Sequence, residues 1–127
     1  MKRIALLLAV AALFATSLAA APNPVTTVIL VRHAERASQE EDSPLSPAGV
    51  ERAKELARVL AGVKIDAIYT TQFIRTKDTA APTAAAFGIT PVIRNTGPTY
   101  AVDLAKHIRA THAGQTVVGV GDSNSAP

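Results

Sequence analysis

The stretch Val28-Ile29-Leu30-Val31-Arg32-His33-Ala34-Glu35-Arg36 constrains this chain most strongly. Four consecutive branched apolar residues predict a strand buried on both faces, and the run stops at a dense group of ionisable side chains. In an open parallel sheet, ligands bind beyond the carboxyl ends of the strands, which places Arg32, His33 and Arg36 where a site is expected. Two guanidiniums beside one imidazole suit an anion, most naturally a phosphoryl group, with the imidazole free to act as nucleophile or base. Taken alone, the same residues also describe a solvated strand exit, so the remaining motifs decide between the two.

Met1-Lys2-Arg3, the apolar stretch Ile4 to Ala15 and the small residues Ser17-Leu18-Ala19-Ala20-Ala21 have the three parts of a secretory signal peptide. The apolar core is shorter than the roughly 20 residues a membrane-spanning helix needs. A signal peptide over residues 1–20 is therefore expected, with an exported product, periplasmic or secreted, and no membrane association after cleavage. Losing Lys2 and Arg3 leaves eleven basic side chains against ten acidic ones, a net charge near +1. With no basic run and few aromatic residues, this argues against a nucleic-acid partner. The chain has no cysteine, so an oxidising compartment offers it no disulfide. Residues 21–127 are expected to form one small domain around one core.

Along that domain, strand and helix patterns alternate. Residues Ala37 to Pro44 read as a polar loop whose Glu40, Glu41 and Asp42 carboxylates are expected to be solvated. Ser46-Pro47 starts a helix, the Ser as cap and the Pro at the first helical position, and Gly62 is expected to end it. Asp66 to Thr70 is a second strand, followed by a helix from about Arg75 to Phe87, closed by Gly88 and containing Pro82. Pro91-Val92-Ile93 is a weaker third strand, Asp103 to about Thr111 a third helix, and Thr116 to Val120 a fourth strand apolar on both sides. Such alternation predicts an α/β domain with a largely parallel sheet.

Three strands end in polar groups: Arg32-His33-Ala34-Glu35-Arg36, Thr70-Thr71-Gln72 leading to Arg75, and Gly121-Asp122-Ser123-Asn124. Parallel strands bring these ends to one edge, where Arg75 at a helix start adds a cation beside exposed backbone donors. The sequence at this point resembles the histidine phosphatase superfamily, with its phosphoglycerate-mutase-like three-layer α/β/α fold. The resemblance rests on Arg32-His33-Ala34, on Leu45-Ser46-Pro47-Ala48-Gly49, and on Thr71, Arg75, Thr79 and Ala80, in the family's order and spacing. It implies that His33 is the phosphorylated nucleophile, that Arg32 and Arg75 grip the phosphate, and that Arg36 is a further pocket arginine. The substrate would be a phosphorylated small molecule or phosphoprotein, a phosphoester or phosphohistidine. Phosphoryl transfer needs positioning and charge neutralisation, which arginines can supply, so no metal or other cofactor is expected. His107 and His112, five positions apart, are not placed to form a metal site with His33.

The chain departs from that family at Asp122. Members carry a second histidine there, typically in Gly-His-Ser-Asn; alignment with the His-Asp-Thr-Asn of the acid phosphatase branch instead makes Asp122 the proton donor but puts Gly121 in the histidine's place. A carboxylate about 4 Å from a phosphate charge costs roughly 4 kcal/mol at an effective dielectric of about 20. At roughly 1.4 kcal/mol per tenfold in rate, that removes about three orders of magnitude. Glu35 and Asp103 are further candidates for the general acid. Family members also continue beyond the fourth strand, so one sheet edge is expected to be open here. Two classes of function remain: a phosphatase acting through His33, and a non-catalytic relative or inactive fragment that keeps a phosphate pocket. Neither substrate identity nor oligomeric state can be read from the sequence.

Overall fold

Each apolar segment of the domain becomes a strand or a helix in the computed structural model, which describes residues 21–123. The expected leader over residues 1–20, and Asn124 onward, lie outside the described residues. The elements are β1 (Thr27–Arg32), α1 (Pro47–Leu60), β2 (Ala67–Thr70), α2 (Ile74–Phe87), β3 (Val92–Ile93), α3 (Tyr100–Thr111) and β4 (Thr116–Gly121). All strand pairs are parallel, and the sheet order is β1-β4-β2-β3. The last strand is thus inserted between the first and the second.

Period-two alternation along β2 and β4 sorts their side chains into two cores. Ile68, Val118 and Val120 pack with Leu60 of α1 and with Ala80 and Ala84 of α2. Ala67, Tyr69 and Val117 face the other way, against Leu104 and Ile108 of α3. The result is the expected three-layer arrangement, α1 and α2 on one side and α3 on the other. No helix among the described residues is long and apolar enough to cross a membrane.

Three sequence expectations are corrected. β1 is not buried on both faces, because its only strand partner among the described residues is β4: Val28 is 44% and Leu30 51% exposed on the α3 side, while Ile29 reaches the core beneath α1 and α2. Gly62 does not end α1 with a left-handed residue; the helix stops at Leu60 with right-handed Ala61 as its cap, and Gly88 alone among these helix ends adopts a positive φ, 64°. α3 starts at Tyr100 rather than Asp103, which lies in its first turn. Pro82 sits inside α2, which runs unbroken across it.

Candidate active site

The β1–β4 register pairs Arg32 with Gly121, so the two strands end level and their next residues are neighbours. His33 N–H extends the ladder, donating to the Gly121 carbonyl at 2.9 Å. Its ring is oriented by Nδ1, which lies 2.7 Å from the Ala34 carbonyl oxygen. A carbonyl can only accept, so Nδ1 carries a proton, and Nε2 is the ring nitrogen left to face the site. That Nε2 lies 3.5 Å from Asp122 Oδ1.

Arg75 meets the same carboxylate oxygen from the other side, its Nε donating to Asp122 Oδ1 at 2.6 Å. The guanidinium is nearly buried, stacked 4.2 Å from the centre of the Phe73 ring, and its Nη1 donates to the Glu41 carbonyl. Asp42 Oδ1 accepts from Ile74 N–H at 2.7 Å, satisfying a first-turn donor of α2. The acidic loop is therefore docked on the start of α2 rather than merely solvated. Thr79 joins the two halves: its hydroxyl donates to the Arg75 carbonyl at 2.7 Å and accepts Ala34 N–H at 2.9 Å. Gly49 does the same for α1, since a Cβ there would stand 2.2 Å from the Glu35 carbonyl oxygen, which also accepts Ser46 N–H at 2.8 Å.

Of the residues singled out from sequence, His33, Arg75 and Asp122 form one contiguous group. Arg32 is exposed on the α3 side and shares a cavity wall with Asp122 and Tyr100. Arg36 is engaged locally, its Nη2 donating to Gln39 Oε1 at 2.7 Å, in a depression it shares with Arg32, His33 and Arg52 but not with Arg75. Four guanidinium and imidazole groups thus do not meet at one point, because the loop after β1 engages Arg36 locally. Glu35 is paired with Arg52, Nη2 to Oε1 at 2.5 Å, on the exposed side; that hydrogen bond first, and its own main-chain amide second, lower its carboxyl to about 2. A group so acidic cannot deliver a proton near neutrality, which removes Glu35 as general acid. Asp103 accepts the Thr99 hydroxyl at 2.6 Å on the exposed first turn of α3 and lines neither cavity that contains Asp122. His107 and His112 lie elsewhere, their Nε2 atoms 3.0 and 2.7 Å from the Tyr69 hydroxyl. No group of three or more His, Cys, Asp or Glu among the described residues is arranged to hold a metal ion. Sequence reasoning missed Phe73 and Tyr100 beside Arg75; aromatic residues at two helix starts were the available signal.

Residues 28–97 match the family described as histidine phosphatase superfamily, branch 1. The chain belongs to that superfamily. No curated protein matches this member in sequence. Among solved structures, a protein named as a phosphohistidine phosphatase, SixA of Agrobacterium tumefaciens, is 26% identical with a TM-score of 0.63, over 77% of this chain and 70% of that one. SixA of Nakamurella multipartitia, also named as a phosphohistidine phosphatase, is 28% identical with a TM-score of 0.59, over 81% of this chain and 63% of that one. YhfR of Bacillus stearothermophilus, 23% identical with a TM-score of 0.64 over 76% and 73% of the two chains, shares the fold. Within the superfamily, Asp122 gives this member a carboxylate at the Nε2 side of His33.

Proposed function

We propose that this histidine phosphatase superfamily member is an exported phosphatase-type hydrolase of a phosphoester or phosphohistidine, acting through phospho-His33, with turnover held low by Asp122. The observation that carries the proposal is the His33 ring: Nδ1 is committed to the Ala34 carbonyl, so Nε2 is the nitrogen turned toward Asp122 Oδ1, 3.5 Å away, which Arg75 also holds. Nε2 attacks phosphorus as the bond to the leaving oxygen or nitrogen breaks, and the leaving group takes a proton from solvent water. Water then attacks phosphorus, the P–Nε2 bond breaks and phosphate departs. Arg75 and Arg32 would neutralise the equatorial oxygens. Export is inferred from the leader, and the phosphohistidine option from the SixA neighbours.

Asp122 favours a second version of the same site. Its carboxylate holds Arg75 at 2.6 Å, so an incoming phosphate must displace or share that contact. A non-catalytic phosphate-binding relative is the outcome if displacement never leads to transfer. Asp122→His removes the competing anion and is expected to raise hydrolysis of a generic aryl phosphate at least about a hundredfold. His33→Ala in that background should be inactive, and quenched turnover should show phosphate on His33 by mass spectrometry. A folded Asp122→His protein with neither turnover nor phospho-His33 would leave the binding version standing and reject the enzymatic one.

A further inference from the structure

Beside the group formed by His33, Arg75 and Asp122 lies a cavity of about 350 Å³. Its lining is Glu41, Phe73, Arg75, Thr96, Gly97, Tyr100 and Asp122. Two of these residues are aromatic in a chain that is only 4% aromatic, so their meeting at the site is not a consequence of composition. Arg75 is the sole cation among the described lining residues, and it is already engaged by Asp122. Arg94 acts on the Tyr100 hydroxyl from outside the lining.

The walls are built rather than loose. Gln72 clamps the far loop with two bonds of 3.0 Å, its Nε2 donating to Thr96 Oγ1 and its Oε1 accepting Thr96 N–H. Tyr100 N–H donates to the Gly97 carbonyl at 3.1 Å, which sets the first turn of α3 against that loop. Phe73 is held by its stacking on Arg75. The Tyr100 hydroxyl remains protonated well above neutrality, since burial first, and Asp122 after it, push its pKa up against the opposing effect of Arg94.

We infer that this cavity is a leaving-group subsite, that Phe73 and Tyr100 are its specificity-determining walls, and that it takes a flat, uncharged ring such as an aryl or imidazole group. The inference rests on the phosphate site proposed above and narrows its substrate class. A leaving group bearing a second anion is disfavoured, because Asp122 and Glu41 belong to the lining and its one cation, Arg75, already pairs with the Asp122 carboxylate. Flat rings gain from edge and face contact with aromatic walls, and preformed walls cost little ordering on binding.

Calorimetry on the full chain with non-hydrolysable probes tests this. Phenylphosphonate is expected to bind about tenfold or more tightly than methylphosphonate, and phosphonoacetate no more tightly than methylphosphonate. Tyr100→Leu, chosen to keep bulk, should bring the phenyl-to-methyl ratio below about threefold while methylphosphonate binding changes less than about twofold. In the wild type, nuclear Overhauser contacts from the phenyl ring to Phe73 and Tyr100 give a readout independent of any variant. Equal binding of phenyl and methyl probes, or a phenyl ring with no contact to either residue, overturns the subsite while leaving the phosphate site intact. Binding of none of the probes overturns the phosphate site, and the subsite with it.

Discussion

His33, Thr79 and Gly49 show how much of the motif chemistry is local and how much is not. The His33 tautomer is set by the very next residue, Ala34, and so is a property of a dipeptide. Thr79 reads in sequence only as part of a spaced signature; its reason is an Ala34 amide 45 positions earlier, which no local pattern reveals. Gly49 likewise is a close approach of two backbones rather than a turn. Glu35 offers a direct residue-scale check. Its folded value of about 2 lies below the ordinary 4.5, so whatever it contributes to stability is fully present above the ordinary value and is lost as pH falls through about 2. A carboxyl-carbon NMR titration should place Glu35 near 2, and Arg52→Gln should return most of the shift. A Glu35 that titrates near 4.5 in the wild type would restore it as a candidate proton donor.

At the scale of elements, α1 and the body of α2 were readable because Ser46-Pro47 and Gly88 are strong local signals, and the Ser46 hydroxyl does accept Gly49 N–H at 3.1 Å. The start of α2 was harder, since its first-turn amide is capped by Asp42 from a loop 32 positions away. Arg36 shares a depression with Arg32 and His33, but its guanidinium is engaged locally by Gln39, three positions on, which its place after β1 does not reveal. Pro82 marks a cost carried inside α2, because it lies past the first turn and has no N–H to offer Asp78. Pro82→Ala is expected to stabilise the protein by about 1–3 kcal/mol, raising the melting temperature by several degrees, with phosphate affinity unchanged because Arg75 lies about two turns before it. An unchanged or lower melting temperature would mean that the ring packs better than a methyl group and outweighs the restored bond.

For the whole molecule, the sheet order β1-β4-β2-β3 decides which apolar residues are core, and apolar identity alone does not. Val28 and Val118 are equivalent in sequence terms, each within a run of branched residues, yet Val28 is 44% and Val118 1% exposed. In urea denaturation, Val118→Ala should cost about 2 kcal/mol or more and Val28→Ala less than about 1. Equal costs would show that the α3 side of β1 is covered in solution. The same sheet order dictates when the chain can become a protein at all. Thr27 pairs with Thr116, and β2 reaches β1 only through β4, so the central ladder waits for the last strand to be synthesised. Closing so long a loop makes folding a late, slow event rather than one that proceeds as the ribosome moves. Until Thr116–Gly121 emerges, β1 has no sheet partner among the described strands, so a ribosome stalled before β4 releases a product in which β1 cannot pair.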